Sequence, residues 1–188
     1  MLLNRLLLTF VLLLPSFAMA ESNDIVVNRL KVGQRSGGGY QVDAQVNYNL
    51  NKNIKMALSH GIKVRLNFDV TLGRYRSLWW NSTRHLSRLS YQVKYHALSK
   101  RYILVKIDGD KETRHWNFSS LPVLLRQAGR IAKHHLPEMG SSIRDGSHFL
   151  FFKATAHVET LRLPLRLQTY LKNGKYYQES EGVVWPLG

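Results

Sequence analysis

Ile62-Lys63-Val64-Arg65-Leu66-Asn67-Phe68-Asp69-Val70-Thr71-Leu72 alternates apolar and polar residues without a break. Side chains on a strand point alternately to its two faces, so this stretch predicts a strand with an apolar face and a wet face. At about 3.3 Å per residue it extends roughly 36 Å, long for a strand. One face wet throughout argues for an antiparallel sheet, because parallel sheets bury both faces.

Outward from that strand the same period recurs. Tyr40, Val42, Ala44, Val46, Tyr48 and Leu50 take one face of an earlier segment, with Gln41, Asp43, Gln45, Asn47 and Asn49 on the other. Asp24 to Val32 reads as a first strand, followed by a Gly37-Gly38-Gly39 loop. Between the two alternating runs, Asn51 is suited to cap a short helix over Lys52 to His60, stopped by Gly61. Leu89 to Ala97 and Tyr102 to Ile107 read as strands. Asp108-Gly109-Asp110 then turns the chain into Lys111 to Phe118. A second helix is expected from Ser119 or Ser120 to Pro137, with Pro122 in its first turn. Its apolar stripe is Leu121, Leu124, Leu125, Ala128, Ile131 and Ala132, and its basic side Arg126, Arg130 and Lys133. A polar loop, Gly140 to Gly146, follows. Phe149 to Glu159, Leu165 to Leu171 and Tyr176 to Trp185 read as strands, with an Asn173-Gly174 turn.

The expected order is ββαββββαβββ, give or take a strand. The fold class is mainly β (α+β): an antiparallel β-sandwich or strongly curved sheet with two short helices. Residues 21–188 are expected to form a single domain.

The first twenty residues have a separate character. Met1 to Arg5 are short and positive, Leu6 to Phe17 apolar, and Ala18-Met19-Ala20 forms a small-residue cleavage site. That tripartite order predicts a cleavable signal peptide over residues 1–20 and a periplasmic destination. The apolar run is short of the roughly 20 residues a membrane span needs, and no later segment is apolar enough to cross. With no cysteine in the 188 residues, a disulfide framework, a thiolate metal site and a cysteine nucleophile are excluded.

The chain carries 27 Lys and Arg against 12 Asp and Glu, a net charge of +15. Basic chains often meet nucleic acid, but an exported one meets lipid head groups, lipopolysaccharide and wall polymers instead. The ordinary alternative is that the charge only keeps the domain soluble. The charge is concentrated between Asp69 and Asp108, where no acid occurs. Arg74, Arg76, Arg84, Arg88, Lys94, Lys100, Arg101 and Lys106 alternate there with Tyr75, Trp79, Trp80, Tyr91, Tyr95 and Tyr102. Guanidinium groups pair with phosphate, and rings cover apolar surface or a sugar face. The candidate anion- or partner-binding set is therefore Arg74, Arg76, Trp79, Trp80, Arg84, Arg88, Lys94, Lys100 and Arg101. The ordinary alternative is that these cations are the solvated face of strands.

Several segments resemble an uncharacterised Gram-negative envelope family, domain of unknown function 4390. They are ALSHGIKVRLNFDV (57–70), SLWW (77–80), YQVKYHALSKRYILV (91–105), SSLPVLLRQAGRI (119–131), and LPLRLQTYL with VVWPL at the end. The resemblance supports export and the fold boundaries, and implies no catalytic residues.

Other chemistry is weakly represented. His134 and His135 are adjacent on the expected helix, with His135 on the apolar stripe and His134 toward solvent. There is no HxxxH or HExxH, so a metal would need His60, His85, His96 or His115 to assemble in space. Ser147 and His148 are neighbours, which is poor geometry for a nucleophile and base. Glu179 and Glu181 would share a strand face, either as a paired-carboxylate site with a raised pKa or as a solvated face with Lys or Arg opposite. No cofactor is expected. The reading from sequence is a non-catalytic module that binds an anionic envelope component or envelope protein. An enzyme acting on an envelope polymer or lipid, and a carrier of an apolar ligand, are the alternatives.

Overall fold

The structure is a computed structural model, and it describes residues 24–35, 39–75, 82–139, 147–159 and 175–187. The expected signal peptide, the Leu165 to Leu171 strand, the Asn173-Gly174 turn and the Gly140 to Gly146 loop lie outside these residues. The elements are β1 (Ile25–Gln34), β2 (Tyr40–Tyr48), α1 (Lys52–Ser59), β3 (Val64–Arg74), β4 (Ser82–His96), β5 (Arg101–Asp108) and β6 (Lys111–Phe118). They continue with α2 (Leu121–Ala128), β7 (Arg130–His135), β8 (His148–Val158), β9 (Tyr177–Glu179) and β10 (Val183–Leu187).

Two antiparallel sheets share one core. The smaller has strand order β1-β2-β7, and the larger β10-β8-β3-β4-β5-β6 with β9 alongside β8. The opening stretch of sequence is β3, which lies between β4 and β8. Its apolar residues Val64, Leu66, Phe68 and Val70 are buried against Val42, Val46 and Tyr48 of β2. The Tyr48 hydroxyl donates to the Asn67 carbonyl at 3.2 Å, joining the two sheets through the core. Helix α1 forms as its sequence predicts. Asn51 accepts from the Ile54 N–H at 2.9 Å, and Gly61 follows the helix at φ +80°, the left-handed conformation that favours glycine.

The outward face of β3 is not wet throughout. Asn67 on β3, Ser90 and Gln92 on β4, and Thr155 on β8 are all buried there. Three of them are joined: Ser90 donates to Asn67 Oδ1 at 2.8 Å, and Asn67 Nδ2 donates to Thr155 at 3.3 Å. A strand in mid-sheet has neighbours on both sides whose long side chains cross it, so a polar face need not be a solvated one.

The second helix ends early. It stops at Ala128, and Arg130 to His135 form β7 instead of further helical turns. The cause is at Gly129. A Cβ there would fall 1.9 Å from the Val46 carbonyl oxygen, and the Gly129 carbonyl accepts from Val46 N–H at 2.8 Å. Glycine lets the chain touch β2, and pairing with β2 then outcompetes helix propagation. The expected basic helix face of Arg126, Arg130 and Lys133 therefore does not exist, since the last two lie on β7. Tyr176 to Trp185 is likewise two strands, β9 and β10, with Glu181 in the connection between them.

Candidate functional site

The structure distributes the predicted anion-binding residues along the large sheet. Arg76, Trp79 and Trp80 lie outside the described residues. Arg84 is near one end of β4, and Lys100 and Arg101 follow its other end; β4 alone is roughly 50 Å long at about 3.3 Å per residue. Arg74 and Arg84 border a shallow hollow of about 210 Å³ with Leu72 and His148. The candidates are thus spread over both ends of the sheet.

Nor is the stretch acid-free in space. The acid that precedes it, Asp69, takes an Arg88 Nε bond of 2.5 Å, with His85 Nε2 3.3 Å from the same oxygen. Lys94 reaches Glu112 on β6 at 2.7 Å, and that hydrogen bond is the main reason the Glu112 carboxyl is held below its ordinary range. On the same face Arg65 and Gln92 both donate to Glu159, and Lys153 pairs with Glu179 at 2.9 Å. Strand pairing thus supplies acids to Arg88 and Lys94, and the outward face they occupy is charge-matched.

The inward rim at β5 and β6 differs. Lys106 and Arg114 lie directly opposite each other across the β5–β6 ladder, on the face that carries Leu104 and Trp116. Like charges so placed repel. Neither has a carboxylate within ion-pair distance among the described residues, although Asp108 and Asp110 stand at the adjacent turn. His134 reaches this rim from β7, its Nε2 2.8 Å from Ser87 Oγ on β4. Burial lowers its pKa, and the nearby Lys106 and His135 lower it further. Tyr91, opposite Lys106, has its hydroxyl pKa raised by burial, with Arg114 opposing the shift.

Sequence reasoning missed Arg114, which lies beyond Asp108, and turned His134 toward solvent on a helix. On strand β7 the directions reverse: His134 is half-buried and His135 exposed. The pairing of Lys106 with Arg114 depends on a bulge. Asp108 pairs with Lys111 and Ile107 with Glu112, so a regular hairpin would place Thr113 opposite Lys106.

Of the expected carboxylate pair, Glu179 has structural partners and Glu181 lies in the connection before β10. Glu179 faces Lys153, and bonds from Lys153 and then Tyr177 lower its pKa rather than raise it. The Tyr177 hydroxyl is pushed up to about 12, by burial first and then by its 2.8 Å bond to Glu179. A groove of about 440 Å³ runs between the start of β1 and Glu179 to Val183, with Asp24 and Glu181 at its edges. Among the described residues no three His, Asp or Glu side chains converge as a metal site requires. No helix among them is long and apolar enough to cross a membrane.

A family model described as domain of unknown function, DUF4390, matches residues 22–185. The chain belongs to that family. The match runs from just after the expected cleavage point through Trp185 in the last strand, and so covers both sheets and both helices. No curated protein and no solved structure matches the chain.

Proposed function

We propose that this DUF4390 chain is an exported, non-catalytic binding domain whose target is a phosphate-bearing component of the cell envelope. The observation that carries the reading is the opposed pair Lys106 and Arg114, which have no carboxylate partner among the described residues while Arg88 and Lys94 are paired with acids. A bound phosphate group relieves the repulsion between two such cations and gives each a charge-assisted hydrogen bond. His134 and Ser87 add a donor or acceptor beside them. The periplasmic destination rests on residues 1–20. The non-catalytic reading rests on Glu112, Glu159 and Glu179, each of which holds a cation.

Vesicle sedimentation tests the binding. The protein is expected to sediment with phosphatidylglycerol vesicles at low salt, to be released at high salt, and to ignore phosphatidylcholine. Lys106→Glu combined with Arg114→Glu is expected to weaken binding at least tenfold, while Arg88→Ala and Lys94→Ala leave it within twofold. Purified lipopolysaccharide in place of the vesicles separates the two phosphate sources. Failure to bind either at low salt, or equal loss in the Arg88 and Lys106 variants, defeats the reading. N-terminal sequencing of secreted material is expected to start at Glu21.

A further inference from the structure

His134 stands on the rim at a place where a proton is hard to hold. It lies directly opposite Val42 in the β2–β7 ladder. Residues so paired point to the same face, and Val42 is fully buried in the core. The imidazole therefore points into the gap between the two sheets. It is half-buried there, against Ser87 of the large sheet.

The polar groups around the ring come from every strand that borders the gap. β4 contributes the Ser87 hydroxyl, 2.8 Å from Nε2, and farther along the same face the Tyr91 phenol. β5 contributes Lys106, and β6 the Arg114 opposite it. β7 itself carries Lys133 and His135 on either side. The carboxylates are turned elsewhere. Asp43, next to Val42 on β2, alternates to the other face and accepts from the Lys133 N–H at 2.9 Å. Asp108 and Asp110 are exposed at the β5–β6 turn. Burial disfavours the protonated ring first, and the charged groups that act on it, Lys106 and His135, are cations that add to the effect.

A neutral imidazole has one donor and one acceptor nitrogen, whereas an imidazolium has two donors and no acceptor. Once the ring is protonated, Nε2 can only donate to Ser87 Oγ, and the hydroxyl hydrogen is directed away from the ring. An anion held by Lys106 and Arg114 offsets the repulsion from Lys106 and supplies the negative charge that the gap lacks. We infer that anion binding at the Lys106–Arg114 rim takes up a proton at His134, so that the site binds more tightly as pH falls. The inference rests on the phosphate reading of the rim and adds its regulation. Linkage is reciprocal: an anion that favours the imidazolium is favoured by it to the same factor.

Phosphatidylglycerol vesicles test it, because the charge of a phosphodiester is constant between about pH 5.5 and 7.5, where a histidine titrates. Sedimentation at low salt is expected to show at least about fivefold tighter binding at the lower pH. Other histidines gain charge over the same range, so variants separate them. His134→Gln is expected to remove most of the rise, while His60→Gln and His115→Gln, both at exposed positions, keep it. A direct readout uses the unaltered protein. The His134 ring resonance, followed by NMR with soluble dihexanoylphosphatidylglycerol, is expected to titrate at a higher pH with the lipid than without it. Absence of binding at both pH values defeats the phosphate reading and this inference with it. Binding that is lost in Lys106→Glu with Arg114→Glu, but rises equally in the parent and His134→Gln proteins, overturns the inference and leaves the phosphate reading standing. A His134 titration unmoved by bound lipid does the same.

Discussion

Substituting Gly129 by alanine tests the joint on which the small sheet depends. The backbone at Gly129 has φ −76°, which alanine adopts freely, so conformational strain plays no part. By itself the change would stabilise the protein by about 0.4–1 kcal/mol, by narrowing the unfolded ensemble. The obstacle is the Val46 carbonyl oxygen, 1.9 Å from the new Cβ where at least 3.0 Å is needed. Opening that contact moves main chain against main chain. Overpacking of this kind costs about 1–3 kcal/mol. Loss of the 2.8 Å bond from Val46 N–H to the Gly129 carbonyl adds about 1 kcal/mol. The net expectation is a loss of about 2–3 kcal/mol, a fall in Tm of roughly 4–12 °C for a chain of this size. Urea unfolding followed by tryptophan fluorescence and circular dichroism measures it, with an unchanged m-value showing that stability alone has moved. Gly33→Ala is the control. Its Cβ meets only Gln41 Cγ, at 4.0 Å, and it is expected to be neutral or stabilising by about 0.5 kcal/mol. If Gly129→Ala is as stable as the parent protein, the close approach of Gly129 to β2 is wrong.

Three further outcomes are expected. Asn67→Ala strands the Ser90 hydroxyl and the Thr155 side chain in a buried setting, and should lower unfolding free energy by about 1–3 kcal/mol in the same urea assay. His134 and His157 have folded-state pKa values lowered chiefly by burial, so between those values and about 6.5 the unfolded chain holds more protons. Stability should therefore fall as pH drops from 7 through that window, and the slope should flatten in a His134→Gln, His157→Gln double variant; an unchanged slope contradicts the burial of both rings. Glu112 and Glu179 have lowered folded pKa values, so their contribution is present above the ordinary carboxylate pKa and lost as pH falls through the folded values. Both are solvent-exposed, so Glu112→Gln is expected to shift the acid limb of the urea midpoint only slightly, and to lose even that at high salt.

Much of the architecture was legible residue by residue. The alternation at Tyr40 to Leu50 and Ile62 to Leu72, the Asn51 cap and the Asp108-Gly109-Asp110 turn are local signals, and the structure honours each. The parity of β1 was also legible but went unread: Ile25 and Val27 lie on odd positions, Leu30 and Val32 on even ones. Only an extra residue between them lets all four face the core, and Asn28 is that residue. Helix α2 misled because Ile131 and Ala132 continue a helical stripe past Gly129, and the contact that breaks the stripe comes from Val46, far away along the chain.

The candidate site was less legible, for a reason visible in its ion pairs. Arg88 and Asp69 are 19 residues apart, and Lys94 and Glu112 are 18. A run without acids says nothing about acids on neighbouring strands, and those two matched the cations that the run singled out. Lys106 faces a like charge because a one-residue bulge places Arg114 opposite it rather than Thr113. The sequence by itself determined where most strands form, which face of β2 and β3 is apolar, and that the sheets are antiparallel, because those properties depend on residues within a few positions of one another. Which cations meet acids on neighbouring strands, and where β7 stops pairing with β2, were decided by the tertiary structure. Register between strands, a bulge, and one glycine's contact with a carbonyl set the distances on which ion pairs and main-chain hydrogen bonds depend.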